Sequence, residues 1–432
     1  MYSTVGQSAA VIIIWLSLIV CPVAAYGNPV FFPEPNPPWD ERAAKMAVQH
    51  PIRSRALGPT VEWVFHKTAD GRHPDENEQQ LMWLMNRARS NPTVEGIWLA
   101  GIYDRYHHIN LQDCSQLAEG IEYCYIARAV DQDHWGVDLD LLQTEFAAYD
   151  AKPPAAFDVR LYRAAKNHSE YLISTDSQNH TGQFDRIDDE DFFYGRARGN
   201  VFSYSLGIVY GHAAFNIDWG PDGGSGTGMQ SPPGHRLAIM SIDGDYTNVG
   251  YAVVPESDFA TDVGPLVITG NFCEANAAAG NHFNRFLVGT VWSDDDGDDF
   301  YDPGEGIGGV TVMPDQGAYY AITSDAGGYA LPITQPGTYE VSFSGGGRAL
   351  NEIVKIVRVI DESVLLDLVA DVNWDLSADN ASGSSSSGGG GGCFITSSSG
   401  DHSANLELGR IMIVIAITLL GVIARCKGPH NS

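Results

Sequence analysis

The acidic segment DDDGDDFYDPGE has the residue types and the spacing of a calcium-binding loop. The residues at loop positions 1, 3, 5, 7, 9 and 12, which ligate calcium in an EF-hand-type loop, are Asp294, Asp296, Asp298, Phe300, Asp302 and Glu305. The glycine is displaced, because loop position 6 is Asp299 and Gly297 stands at position 4. The segment therefore predicts calcium binding, and the alternative is an acidic turn that faces solvent.

Two histidines form a second candidate site. His180 stands in NHTG, and His235 follows the Ser-Pro-Pro-Gly turn of SPPGHRLAIM, at the mouth of an element that could be a strand or a short helix. Two neutral imidazoles that meet in a cleft could hold zinc or another divalent metal, or act as acid and base. The alternative is that both histidines only hydrogen-bond loops and close the fold.

The remaining polar candidates are weaker. Asp218, in HAAFNIDWG, is the acidic residue that could join the two histidines in catalysis or metal binding, and His212 could supply a third nitrogen. Two histidines and one acid are poor ligands for high-affinity zinc, which takes at least three protein ligands plus water. His168 is expected to be a core residue. No nucleophile elbow or Ser-His-Asp spacing is present, so the sequence gives no support for a nucleophilic hydrolase.

Two amphipathic helices and a strand are predicted in the region that contains the two histidines. ENEQQLMWLMNRARS places apolar residues on one face, after a capping box of Asp75 and Glu78. Its apolar face consists of Leu81, Leu84, Met85 and Ala88. FDVRLYRAAKNHSEYLI repeats the pattern with Leu161, Ala164, Ala165, His168 and Leu172. YTNVGYAVV alternates like a strand. These elements predict a folded α+β region over 75–256, after a Pro-rich, irregular lead-in over 26–74.

Residues 285–370 have a different pattern. Their short apolar runs, separated by Gly, Pro and Asp turns, predict a small Ig-like antiparallel β-sandwich. The runs are FLVGTVW, GVTVMP, YYAITSDAGGYALPI, GTYEVSFSG and ESVLLDLVADV. We expect a connector over 257–284 and a flexible Ser/Gly-rich linker over 371–392.

The first region resembles the CAP superfamily, also called SCP-like, in its bacterial extracellular form. The segments that carry the resemblance over about 76–256 are LMWLMNRARSNP, LYRAAKNHSEYL, NHTGQFDRI, GRARGNVFSYS and SPPGHRLAIM with VGYAVV. The resemblance implies a three-layer α-β-α sandwich with a cleft that often holds two histidines and two acidic residues. By position, His180 and His235 match the two cleft histidines. One acidic position falls on Gly199, and Asp218, with Asn216 as the weaker option, fits the other.

The second region resembles the B-repeat domains of Ser-Asp-repeat surface adhesins. The segments that carry this resemblance are GTVWSDDDGDDFYDPGEGIGGVTV and TSDAGGYALPITQPGTYEVSF. The resemblance implies that the acidic loop binds calcium and that the ion stiffens an Ig-like spacer.

The two ends of the chain predict export. AAVIIIWLSLIVCPVAA reads as a secretory signal peptide over 1–25, cleaved after Ala25. Residues 393–432 contain Cys393 in a Gly-rich motif, the 14-residue apolar run IMIVIAITLLGVIA and a basic end. This layout resembles bacterial C-terminal sorting signals, in which an envelope protease cuts near the motif. The alternative is a plain transmembrane anchor. Both interpretations place the rest of the chain at the cell envelope or the extracellular surface.

The cysteines and the net charge restrict the compartment and the partners that fit this chain. Cys114 and Cys124 could form a local disulfide after export, a pairing that the sequence leaves open. The formal net charge is -29, from 25 Lys and Arg against 54 Asp and Glu. That charge disfavours nucleic acid and anionic lipid as partners, and it suits either divalent cations or general solubility.

Three functions fit these features. The first is a binding protein that holds a small ligand, lipid, glycan or peptide in the two-histidine cleft and displays it on the calcium-stiffened domain. The second is a metal-assisted hydrolase, peptidase-like or nuclease-like, that uses His180 and His235. The third is a structural surface protein with a degenerate cleft. Because Gly199 removes the expected general base, we favour binding.

Overall fold

The computed structural model describes residues 58–117, 120–258, 260–346 and 350–370, and these residues lie within one compact unit. The predicted signal peptide, the linker and the C-terminal tail with Cys393 and the apolar run lie outside the described residues. Within the described part of the chain, no helix combines the length and the apolar character needed to cross a membrane.

The described residues form an α+β fold. Its helices are α1 Glu76–Ser90, α2 Pro92–Tyr106, α3 Ile121–Val130, α4 Leu139–Ala147, α5 Val159–Ser174, α6 Gln183–Asp189, α7 Ile208–Ala213 and α8 Gly234–Ile239. A single turn of π-helix, Ala214–Asp218, continues α7.

Helix α1 begins and packs as its sequence predicts. The Asp75 carboxylate accepts the Glu78 N–H at 3.0 Å, and the Glu78 carboxylate accepts the Asp75 N–H at 2.9 Å, which confirms the capping box. All four predicted core residues of α1 are at most 1% exposed. The apolar face of α5 is likewise buried.

A four-stranded mixed sheet lies at the centre of the helical half, which we define as residues 75–275. Its strand order is β2, β4, β5, β3, with bounds Ala156–Phe157, Asn248–Pro255, Leu266–Ala275 and Tyr194–Ser205. Strand β2 pairs with β4 in parallel, and the other two pairings are antiparallel. Strand β5 lies inside the span that the sequence assigned to a connector.

Helix α5 packs against this sheet, and its backbone lies close to Gly250 of β4. A Cβ at that position would lie 2.1 Å from the Tyr162 backbone nitrogen. On the neighbouring strand β5, Ile268 and Phe272 contribute to the core that contains α1, whereas Cys273 packs with Leu161 of α5. Helices therefore contact both faces of the sheet.

The sandwich half, which we define as residues 286–370 together with β1, Val61–Glu62, consists of two sheets that share a hydrophobic core. One sheet has the order β1, β8, β7, β10, β11, with bounds Val61–Glu62, Tyr319–Ile322, Val310–Pro314, Gly337–Gly345 and Leu350–Val359. In the other, β6 Phe286–Ser293 pairs with β9 Gly328–Pro332, β12 Val364–Leu365 and β13 Leu368–Ala370.

The prediction of an antiparallel sandwich was wrong in part, because both sheets are mixed. Strands β12 and β13 pair with β6 in parallel. Strand β1 pairs with β8 in parallel and comes from the segment that the sequence described as an irregular lead-in. Trp63, directly after β1, is buried among Phe65, Phe283 and Tyr319. The end of the lead-in is thus a packed part of the sandwich.

Cys114 and Cys124 form a disulfide, which decides the question that the sequence left open. The bridge joins a single 3₁₀ turn, Cys114–Gln116, to helix α3. Cys273 is a free, buried cysteine.

Candidate functional site

His235 and Asp218 form a hydrogen-bonded pair. His235 lies in the first turn of α8, and its Nδ1 is 2.6 Å from Asp218 Oδ1. The His235 backbone N–H donates to the other carboxylate oxygen at 3.0 Å. Because an ionised carboxylate only accepts, His235 carries its proton on Nδ1 and leaves Nε2 free. The Asp218 side chain is fully buried and that of His235 is 23% exposed, so the imidazole edge is open to a ligand.

Two buried arginines hold this pair in place. Arg236 donates from Nε to the Asn216 carbonyl at 2.6 Å and from Nη2 to the Ile217 carbonyl at 2.8 Å, which ties α8 to the turn that ends at Asp218. Arg89 donates from Nε to the Ile239 carbonyl at 2.5 Å, at the C-terminal end of α8. Satisfying these carbonyls fixes both ends of a helix of only six residues.

His180 has a different environment. It is exposed, and its Nδ1 donates to Gln183 Oε1 at 2.7 Å. The Gln183 amide is buried and donates to Asn271 Oδ1 at 2.9 Å. A Cβ at Gly199 would lie 2.5 Å from Gln183 Nε2. A neutral amide therefore lies beside His180 and fills the space above Gly199.

The described contacts join Asp218 to His235 and do not join either residue to His180. Three groups of at least three His, Cys, Asp or Glu ligand atoms lie close enough to hold a metal among the described residues, and none of the three includes His180 or His235. A zinc site on these two histidines therefore stays a prediction that lacks a third close ligand from the described residues.

The other two histidines considered in the sequence analysis, His212 and His168, are core residues. His212 is 1% exposed and donates from Nε2 to Glu95 Oε1 at 2.9 Å, so it is not available as a third cleft ligand. His168 is fully buried, as the sequence predicts, and its Nε2 donates to the Asn179 carbonyl at 3.0 Å. Its Nδ1 has no hydrogen-bond partner among the described residues. Burial lowers the pKa of His168 to about 4.

A row of aromatic rings next to His235 is a feature that the sequence analysis did not single out. This aromatic strip consists of Phe202, Tyr204, Tyr210, Phe215 and Trp219. The Phe202 ring centroid lies 6.0–6.3 Å from those of Tyr204, Tyr210 and Phe215, and the Trp219 ring lies 5.3 Å from that of Tyr210. The buried Phe215 ring lies 5.5 Å from that of His235.

The strip is partly open to solvent. Tyr204 is 43% exposed, and Phe202 and Tyr210 are half-buried. The available sequence signal was the pair Phe202 and Tyr204, because residues i and i+2 of a strand share one face.

The acidic loop has the shape of a cation-binding loop. Asp294 accepts the backbone N–H groups of residues 297, 298 and 299 at 2.8–3.2 Å. Glu305 closes the loop by accepting the N–H groups of Asp295 and Asp302, both at 2.8 Å. These bonds wrap the backbone so that alternate side chains point inward.

Two overlapping groups of carboxylates meet in this loop. Oxygens of Asp294, Asp296 and Glu305, and of Asp296, Asp298 and Asp302, lie within 4.8 Å of one another. Burial, together with the neighbouring carboxylates, raises the pKa of Asp298 and of Asp302 to about 6. A divalent cation would remove this repulsion.

The displaced glycine does not prevent the loop from closing. Asp299, at position 6, adopts the left-handed conformation with φ +60°. Aspartate reaches this region more readily than most residues, so it can take the place of the usual glycine.

The third close group of ligand atoms, His73, Asp75 and Glu78, already has a structural role. His73 Nδ1 donates to Glu78 Oε2 at 2.7 Å, and the two carboxylates form the capping box of α1. These groups satisfy one another, so we assign them to the start of the helix.

Comparisons with family models, with curated proteins and with solved structures found no match for this chain. What the chain does must therefore follow from the geometry of its own residues.

Proposed function

We propose that this is an exported, surface-associated protein that binds a ligand beside His235 and carries a calcium-binding spacer. The observation that carries the proposal is the pairing of a buried Asp218 with a partly exposed His235 next to the aromatic strip. This arrangement presents one polar atom, His235 Nε2, which the buried Phe215 ring links to the partly exposed rings of Phe202 and Tyr204. Such a combination of apolar area and a few placed polar groups is typical of ligand sites.

The proposed architecture follows the resemblance. The helical half would be a CAP-type three-layer α-β-α sandwich, and helices on both faces of its sheet support this. The sandwich half would be an Ig-like B-repeat domain. The signal peptide, the sorting motif and the transmembrane helix would bring the protein to a bacterial cell surface.

Among the ligand classes that the sequence allows, we favour a neutral glycan. A sugar ring has an apolar face that can stack on Tyr204 and Phe202, and hydroxyl groups that can bond to His235 Nε2. The net charge of -29 disfavours anionic ligands. A lipid tail would favour an enclosed apolar cavity, whereas Tyr204 is 43% exposed.

The test is a calorimetric titration of the full chain with chitohexaose and cellohexaose. We expect the Tyr204→Ala and His235→Ala variants each to bind about tenfold more weakly, in line with the loss of one stacked ring or one hydrogen bond. His108→Ala, at an exposed histidine whose ring contacts that of His107, should bind normally.

Three results would contradict the proposal that the ligand is a glycan. These are binding of phosphatidylcholine vesicles in place of the sugars, binding of neither probe, or equal binding by the two variants and the wild type. The second result would favour the structural surface protein with a degenerate cleft.

The acidic loop is proposed to hold calcium through the carboxylates of Asp294, Asp296, Asp298, Asp302 and Glu305 and the carbonyl of Phe300. The two groups of convergent oxygens support this ligand set. Calcium takes six to eight oxygens, and extracellular modules bind it at about 10⁻⁴–10⁻³ M. Binding would stabilise the sandwich half by mass action.

Two variants of the same loop test the calcium site. Asp296 belongs to both carboxylate groups, so Asp296→Asn should weaken calcium binding at least about tenfold. Asp299 is not at a ligand position, and Asp299→Asn should bind calcium within about twofold of the wild type, since asparagine also adopts the left-handed conformation. Calorimetry would measure both. Equal affinities for the two variants would contradict the ligand set.

A second function rests on the same pair. With Asp218 holding its Nδ1 proton, His235 could accept a proton at Nε2 and so act as the general base of a hydrolase. The metal-assisted version also needs zinc on His180 and His235. Zinc titration of a His180→Ala, His235→Ala double variant tests it, because zinc binding that this variant loses would favour the hydrolase.

A further inference from the structure

One ring of the sandwich half reaches into the core of the helical half. Phe300, in the acidic loop, is 5% exposed, and its ring lies 4.8 Å from that of Trp83 and 5.9 Å from that of Trp98. The Arg87 guanidinium carbon lies 5.0 Å from the Phe300 ring centroid and 4.3 Å from that of Trp98. Rings from both halves therefore enclose this arginine.

Arg87 begins a buried chain of hydrogen bonds. It donates from Nη2 to Glu95 Oε2 at 2.7 Å, and the other Glu95 oxygen accepts from His212 Nε2 at 2.9 Å. The Asn216 side chain donates to the His212 carbonyl at 3.2 Å. Burial alone would raise the pKa of Glu95, but Arg87 and His212 outweigh it and hold this pKa below its usual range. The carboxylate between them is therefore charged.

This chain of contacts ends at the turn that presents Asp218. Asn216 and Asp218 lie in the same turn of π-helix, and both are fully buried. The Asn216 carbonyl accepts from Arg236, the residue next to His235. We call Phe300, Arg87, Glu95, His212 and Asn216 the buried relay. Each member contacts the next, from the acidic loop to the ligand site.

We infer that Phe300 is a positioning residue for the His235–Asp218 pair and acts through the buried relay. The sandwich half is then more than a spacer, because it helps to fix the ligand site of the other half. The inference rests on the proposed function only in taking His235 and Asp218 as that site, and it does not require calcium in the loop. Without the Phe300 ring, Arg87 can move. This movement would weaken its hydrogen bond to Glu95, and with it the contacts of Glu95 with His212 and of His212 with the π-helical turn.

Nuclear magnetic resonance of the ligand-free full chain tests the inference. The readout is the His235 Nδ1 proton, whose exchange with water reports how often its bond to Asp218 opens. We expect Phe300→Leu and Glu95→Gln each to speed this exchange about two- to thirtyfold, which is the range typical of coupling between residues in contact networks. Phe343→Leu is the matched control, because Phe343 is a fully buried phenylalanine of the sandwich core outside the relay.

Faster exchange in both relay variants and unchanged exchange in Phe343→Leu would support the relay. Unchanged exchange in Phe300→Leu, or equal acceleration in Phe343→Leu, would overturn it. Glu95→Gln keeps the size of the side chain, so it gives an answer even where Phe300→Leu fails to fold. The readout uses no ligand, so a failed sugar titration would contradict the proposed function and leave this result readable.

Discussion

At the ligand site, a buried carboxylate, that of Asp218, holds a partly exposed imidazole, that of His235. Asp218 lies at the end of the π-helical turn with φ +58°, a conformation that aspartate adopts more readily than most residues. The sequence grouped Asp218 with His180 and His235, and the structure joins Asp218 to His235, at 2.6 Å. The sequence could not identify Gln183 as the partner of His180. The Gln183 amide fills the space that a side chain at position 199 would need, and only the packing of α6 on the sheet reveals this.

His168 should make the fold less stable at mildly acidic pH. Burial lowers its pKa to about 4, whereas a histidine in the unfolded chain titrates near its ordinary pKa of 6.5. The unfolded chain therefore gains a proton first, and stability falls as the pH drops from about 6.5 to 4, by about 3 kcal/mol at most. Urea unfolding of His168→Gln between pH 7 and pH 4 should show a shallower loss of stability than the wild type.

An exposed histidine supplies the control for this measurement. His108→Gln should retain the wild-type pH dependence, because it removes an exposed imidazole. A His168→Gln variant that loses stability as steeply as the wild type would contradict the assignment.

At the scale of elements, a clear hydrophobic periodicity predicted helices and strands correctly. Two of the strands that lack such a periodicity were missed. Helices α1 and α5 and strand β4 were predicted from their periodicity. Strand β5 was missed because its residues 267–273 are buried on both faces of the sheet, so its sequence LVITGNFCEA does not alternate. Strand β11 was missed because LNEIVKIVRV contains adjacent apolar pairs that suit a helix as well as a strand.

The contact between β4 and α5 gives a prediction at this scale. Gly250→Ala should lower the free energy of unfolding by about 1–3 kcal/mol, because the new methyl group would meet the α5 backbone at Tyr162. Gly101 lies inside α2 with no atom within 4 Å of an added Cβ. Gly101→Ala should raise the free energy of unfolding by about 1 kcal/mol. Urea unfolding measures both, and equal effects of the two substitutions would refute the proposed close contact.

The two halves of the molecule share core contacts that neither half would predict alone. Trp83 of α1 packs edge-on against Trp292 and Phe300 of the sandwich half. The Gln80 amide donates to Asp302 Oδ1 at 2.9 Å, so helix α1 also orients a predicted calcium ligand. The sequence divides these regions at the change of pattern near residue 285, and such a change carries no information about how the regions pack.

The charge of the whole chain should make its stability depend on salt. With a formal net charge of -29, the folded chain repels itself, and dissolved ions screen this repulsion. We expect the Tm to rise by about 1–2 °C between 10 and 150 mM sodium chloride, the shift that about 1 kcal/mol produces in a folded region of roughly 300 residues. Differential scanning calorimetry measures this shift, and a Tm that falls with salt would contradict it.

By itself the sequence determined the properties that local patterns encode. It predicted the α+β class, helices α1 and α5, the capping box, most sandwich strands and the loop residues that could bind calcium. Each of these depends on residues close together in the chain, so periodicity and spacing are enough.

Only the tertiary structure decided which distant residues meet. The pairing of β1 with β8, the hydrogen bond from Gln183 to Asn271 and the insertion of Phe300 over Arg87 all join residues far apart in sequence. These contacts depend on how helices and sheets close over one another, and many chain segments have surfaces that could pack in the same places. Their physical cause is the burial of apolar surface, which is non-directional, so shape complementarity in the folded molecule selects the partners.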